Sequence, residues 1–295
     1  MSRDPYPNEI DPRQDRDDTA SGSGVGARND PRVVEPAATR LRSDTDPSSR
    51  TYYLRDRAYV LRESEFQTLF EVGRFRVIDS RDLAEFAYGG NSDELRRHLR
   101  GLHAQGLIEQ KPLGRHPQEK ERLVVLTKKG RQLLVESGRV PQDQEIYRGL
   151  VKPREAKHDA ALYRLYQREV ARLEAEGGKP LRVKLDYELK RDLQRDLASL
   201  GEQGESRNAR QQVAEKHGLS LLNDKIQIPD LRLEYESADH EHKSIDLELA
   251  NRNYRPRAIA QKATAGFALY ALREDSSKLR RILDDNELTA QIFAL

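Results

Sequence analysis

The sequence contains no cysteine, no tryptophan and a single methionine in 295 residues. Without cysteine, disulfides and thiolate zinc sites are excluded. No stretch approaches the roughly 18 consecutive apolar residues of a membrane span, so no membrane partner is expected. The opening Met1-Ser2-Arg3-Asp4-Pro5 has no apolar core and does not read as a secretory signal. A cytoplasmic location is the expectation. Aromatic residues are scarce at 6%, and hydrophobic residues make up 36% against 35% charged. Net charge is also nearly missing: 52 Lys and Arg face 50 Asp and Glu, leaving +2. That small total hides a strong local imbalance. The length itself is enough for about two domains at roughly 100–200 residues each.

Residues 1–50 hold six of the 13 prolines, the Ser21–Gly26 run and only one aromatic residue, Tyr6. Such a stretch buries too little apolar area to offset its ordering entropy, so it is expected to be disordered. Gly22, Gly24 and Gly26 lack the preceding strand and following helix of a phosphate loop and read as linker.

Order is expected from about Tyr52. Phe66, Leu69, Phe70 and Val72 mark a first helix with Ser64 as its cap, and Arg74 to Ile78 reads as a connector. Ser80 caps a second helix ending near Tyr88, with Leu83 and Phe86 turned inward. Gly89-Gly90-Asn91 makes a turn, and Ser92 caps a third helix. There Leu95, Leu99 and Leu102 form one apolar stripe at i, i+4 and i+7. Leu107-Ile108 and Leu123 to Leu126 read as paired strands around the polar loop Gly114 to Lys120. Thr127 caps a helix from Lys128 to Ser137.

Between Leu95 and Arg131 stand ten Lys or Arg against three acids, an excess of seven in a chain whose total is +2. Arg96, Arg97 and Arg100 lie off the leucine stripe and are expected to face solvent, with His98 as a further donor to DNA, as a helix entering the major groove requires. Lys111, Arg115, His116, Lys120 and Arg122 fall on the hairpin that follows, positioned for phosphate contact. The order of elements, with Ser80-Arg81-Asp82-Leu83-Ala84 and Val124-Val125-Leu126-Thr127-Lys128-Lys129-Gly130, resembles the winged helix-turn-helix family over about residues 60–138.

After a connector from Gly149 to Glu155, a helix from Ala156 to Glu176 carries Tyr163 and Tyr166 on its core stripe. Its tyrosine face is also a candidate homodimer surface. Leu181 to Tyr187 alternates as a strand, and residues 188–217 read as helical with a break at Gly201–Gly204. Ile226 to Tyr235 and Ile245 to Leu249 alternate and form a hairpin around Ser237 to Lys243. Arg257 to Arg273 reads as one long helix, and Ile292 to Leu295 as a last strand.

On that hairpin Asp230 and Glu248 can share a face, and two such carboxylates suit a hard divalent cation such as Mg2+. Pro229-Asp230 with Asp246-Leu247-Glu248 resembles the PD-(D/E)XK nucleases. That resemblance implies a metal held by Asp230 and Glu248 and a lysine beside them. Ala250 stands where the motif lysine belongs, and Lys262 on the following helix is the candidate replacement. The plainer alternative is a polar sheet face with Asp230 and Glu248 paired to Arg232, Arg252 or Arg255. His158 beside Asp159 is read as a pairing or capping residue, and His240 and His242 as polar turn residues.

The winged helix, Lys157-His158-Asp159, Ile228-Pro229-Asp230, Leu247-Glu248-Leu249, and Lys262 with Tyr270 together resemble the replication-relaxation family of plasmid and mobile-element proteins. The expectation is therefore an α+β chain in three parts. A disordered segment (1–50) precedes a winged helix-turn-helix domain (52–140) and a mixed α/β, PD-(D/E)XK-like domain (150–295). The expected function is double-stranded DNA binding in replication, transfer or transcriptional control of a plasmid or mobile element, with no cofactor needed for binding. A replication or transfer protein is a candidate partner. Two alternatives stand beside it: a Mg2+-dependent endonuclease using Asp230, Glu248 and Lys262, and an adaptor for an acidic protein partner.

Overall fold

Alternating and helical apolar periodicities partition the chain into mixed α+β structure. A computed structural model describes residues 49–112, 122–149, 155–251, 253–285 and 291–295. The described residues from Ser49 on belong to one compact unit; residues 1–48, with Gly22, Gly24 and Gly26, lie outside the described residues.

The first described element was not expected. β1 (Ser49–Leu54) and β2 (Arg57–Arg62) pair antiparallel, with Leu54, Tyr59 and Leu61 turned into the core. α1 (Glu63–Phe75) follows without a break. Its cap is Arg62, not Ser64, because Glu65 Oε2 reaches back to accept the Arg62 backbone N–H at 2.9 Å. The expected connector from Arg74 to Ile78 divides: Arg74 and Phe75 end α1, and Val77 and Ile78 open β3 (Val77–Asp79), buried throughout. Asp79 caps α2 (Ser80–Asp82) by accepting the Arg81 N–H at 2.9 Å, one residue ahead of the expected Ser80. α2 runs on as a π-helical turn, Leu83–Ala87. Asn91 then caps α3 (Ser92–Ala104), again one residue early.

β4 (Ile108–Pro112) and β5 (Arg122–Leu126) pair as expected, and β3 joins β5 from the other side, giving the strand order β3-β5-β4. Thr127 Oγ1 accepts the Gly130 N–H at 3.0 Å and starts α4 (Lys128–Glu136).

α5 (Ala156–Ala175) spans the joint between the two expected domains. Tyr163 and Tyr166 are buried within this same chain, so they offer no face to a second copy. Phe75 meets the Tyr163 ring edge-on at 5.2 Å and tilts against Tyr166 at 5.0 Å, so one apolar core runs through both halves.

The remaining elements are β6 (Lys179–Leu185), α6 (Asp186–Ser199), a 3-10 turn (Gly201–Glu205), α7 (Arg207–Lys216), and the short pair β7 (Leu221–Leu222) and β8 (Lys225–Ile226). β9 (Leu231–Glu236) and β10 (His242–Ala250) form the expected hairpin. The expected long helix from Arg257 to Arg273 is overturned. It divides into α8 (Pro256–Thr264) and β11 (Ala268–Ala271), and α9 (Arg273–Asp285) begins at its last residue. Gly266, at φ +86°, turns the chain between α8 and β11. β12 (Ile292–Ala294) closes a five-stranded sheet ordered β12-β11-β10-β9-β6. β10, β11 and β12 run parallel, while β9 is antiparallel to both β6 and β10. Among the described residues, no helix is long and apolar enough to cross a membrane.

Candidate functional sites

α3 separates its side chains by physical type. Leu95, Leu99 and Leu102 are buried at 3%, 4% and 0% exposure, and Arg96, Arg97 and Arg100 are exposed. Arg96 pairs with Asp93 one turn back at 2.7 Å, a contact in open solvent of the kind worth about 0–1 kcal/mol. His98 departs from expectation. It is 3% exposed, with Nδ1 3.0 Å from the Tyr88 hydroxyl and Nε2 3.4 Å from Arg62, so it faces the domain interior and not a groove. Burial lowers its pKa, which favours the neutral ring. Lys111 pairs with Glu109 at 3.4 Å, and Arg122 is exposed. Arg115, His116 and Lys120 lie outside the described residues.

The second cluster gathers side chains from four places in the chain. Asp230 stands just before β9, Glu248 on β10, Lys262 on α8 and His158 in the first turn of α5. The β9–β10 register sets Leu231 opposite Leu247, so Asp230 and Glu248 come next along the two strands. The Asp230 backbone N–H donates to Glu248 Oε2 at 3.2 Å. Lys262 Nζ lies 3.0 Å from Glu248 Oε1 and 3.1 Å from Oε2, and also donates to the Ile228 carbonyl at 2.6 Å. The Tyr254 hydroxyl donates to Glu248 Oε1 at 2.8 Å. Asp230 Oδ2 accepts the Leu249 N–H at 2.8 Å and faces His158 Nε2 at 3.3 Å. On its other side His158 Nδ1 is 3.6 Å from Asp159 Oδ1, and Asp159 Oδ2 accepts the Tyr187 hydroxyl at 3.0 Å.

The electrostatics follow from these distances. Glu248 is 1% exposed; burial and the neighbouring Asp230 charge raise its pKa against the pull of Lys262. Burial alone would raise Asp230 too, but His158, Lys262 and the Leu249 N–H outweigh it and hold Asp230 low. Burial opposes charge on His158, yet Asp230 and Asp159 override it, so the imidazolium persists well above its ordinary range.

The expected convergence of Asp230, Glu248 and Lys262 is therefore present, with Lys262 arriving from α8. Arg232, weighed as a partner for the two acids, instead grips Asp246 at 2.6 and 2.8 Å, because the register sets those two residues directly opposite. Arg252 lies outside the described residues. Sequence reasoning missed the link from His158 to Asp230. The two are far apart in sequence, and no local pattern signals a contact that depends on α5 docking against β6 and β10. His240 bonds Glu236 at 2.8 Å as an exposed turn residue.

Mg2+ fits this second cluster in ligand type but not in arrangement. Carboxylate oxygens are the right donors for a hard cation. Among the described residues, however, no three His, Asp or Glu side chains are grouped to hold an ion. Both carboxylates are already matched by Lys262 and His158, and no atom of this centre is a buried polar atom lacking a partner. The chain matches no protein-family model, no curated protein and no solved structure.

Proposed function

We propose that the chain is a double-stranded DNA-binding protein of winged helix-turn-helix type. The observation that carries this reading is the division of α3 into a buried leucine seam and an exposed arginine face. A recognition helix needs both: the seam fixes its orientation, and the guanidinium forks reach guanine edges and phosphates. The strand order β3-β5-β4 supports it, since α3 lies between β3 and the β4–β5 hairpin, where a wing would emerge. Lys111 and Arg122, on the two strands of that hairpin, carry the basic surface onward.

In this proposal the second half has the topology of a PD-(D/E)XK fold but no cleavage role, and the protein acts in the cytoplasm. It serves replication, transfer or transcriptional control of a plasmid or mobile element, as the replication-relaxation resemblance implies. The Asp230–Glu248–Lys262 convergence is what an endonuclease would need, but its two carboxylates are matched by Lys262 and His158 and not grouped to hold a metal.

A gel-shift with duplex DNA from the element's own upstream region tests the reading. The expected result is a retarded complex that weakens as salt rises, because phosphate neutralisation releases counterions. Absence of a complex with any duplex, together with an acidic protein retained on the basic face, would replace this reading with the adaptor one.

A further inference from the structure

The charged side chains of the Asp230–Glu248 centre are paired with one another. Lys262 has three N–H donors and three acceptors: Glu248 Oε1, Glu248 Oε2 and the Ile228 carbonyl. Each Glu248 oxygen takes two donors, one from Lys262 and one from Tyr254 or the Asp230 backbone. Asp230 takes the Leu249 N–H and the His158 ring, and His158 is backed by Asp159. The two central acids thus face two cations. The centre is also sheltered: the Asp230 and Lys262 side chains are only 18% and 19% exposed.

A divalent cation bridging the two acids would have to displace Lys262 from Glu248, whose two oxygens it holds, and compete with His158 for Asp230. Losing either pairing leaves a charge stranded in a poorly solvated place, and a stranded buried charge is expensive. We propose that Lys262 and His158 stand permanently in the role that a divalent cation fills in nuclease folds of this topology. The centre is then a metal-independent brace. It ties α5 through His158 and α8 through Lys262 to the β9–β10 hairpin. α5 also carries Arg164, which bonds Asp82 of α2, so the brace fixes the helix on which both halves of the chain pack.

This inference stands apart from DNA binding, and its test needs no DNA. The full-length chain is titrated with Mn2+, following the free-ion signal by electron paramagnetic resonance. Its melting temperature is read in parallel with Mg2+, with Mn2+ and with chelator. The brace predicts no site filled at millimolar Mn2+ and a melting temperature indifferent to all three additions. Lys262→Met should lower the melting temperature by several degrees and recover part of that loss with Mn2+, because the unbalanced carboxylates then accept an ion. Adding Asp230→Asn to that variant should abolish the recovery. Wild-type chain that binds Mn2+ and loses it on Asp230→Asn overturns the proposal, and that comparison decides even where Lys262→Met does not fold. A folded Lys262→Met chain indifferent to Mn2+ overturns it as well.

Discussion

Arg164 on α5 grips Asp82 on α2 twice, with Nε at 3.0 Å and Nη2 at 2.8 Å from the same Oδ1. The two ends differ in solvation. The Asp82 side chain is 3% exposed, and that of Arg164 is 32% exposed. Arg164→Ala strands a buried carboxylate whose pKa burial already raises, and should cost about 3 kcal/mol. Asp82→Ala leaves a guanidinium that can turn toward water and should cost less, about 1–2 kcal/mol. Urea denaturation of both variants checks the order; equal losses would mean that the pair is not buried from one side.

His98 and Arg97 adjoin in sequence but belong to different environments. His98→Ala should lower stability by about 1–3 kcal/mol, since it empties a buried site and leaves the Tyr88 hydroxyl with one partner fewer. DNA affinity measured well below the melting point should change little. Arg97→Ala should do the reverse. A thermal melt and a binding isotherm on each variant separate the two roles.

Glu188 gives the stability a pH dependence. Its side chain is 3% exposed and paired with Arg182, yet Oε2 has no partner and burial pushes its pKa up to about 7. The folded chain then holds this proton over a range where the unfolded chain has released it. The contribution is complete below pH about 4.5 and is lost as pH rises toward 7, on the order of 3 kcal/mol in all. Glu188→Gln should remove that slope from a plot of unfolding free energy against pH. An unchanged slope would assign it to another group.

Gly130 sits on the first turn of α4 where it crosses Leu107. A Cβ there would run into the Leu107 carbonyl oxygen. Gly130→Ala should therefore destabilise by about 1–3 kcal/mol despite alanine's better helix propensity. Denaturant midpoints of the two proteins measure it.

Much of this architecture is legible in the sequence. The Leu95/Leu99/Leu102 stripe, the Thr127 cap and the β9–β10 hairpin each rest on a local pattern strong enough to survive packing. The caps of α1, α2 and α3 fall on Arg62, Asp79 and Asn91, one or two residues before Ser64, Ser80 and Ser92, because a serine near a helix start is a common cap and does not by itself fix the first turn. β11 was hidden by Ala268-Leu269-Tyr270-Ala271, whose composition suits a helix; it becomes a strand because β10 offers a parallel edge inside the core. The pairing of Asp230 with Glu248 follows from strand alternation alone. Bringing His158 and Lys262 to it required the docking of α5 and α8, which no short window encodes.

The proposed function requires the exposed arginines of α3 to hold duplex DNA. Fluorescence anisotropy across a salt series tests it most directly, comparing the natural chain with Arg97→Glu/Arg100→Glu. The variant should bind about 100-fold more weakly, with a plot of log affinity against log salt shallower by about 2. The same affinity and the same slope for both proteins, with the fold intact, would contradict it.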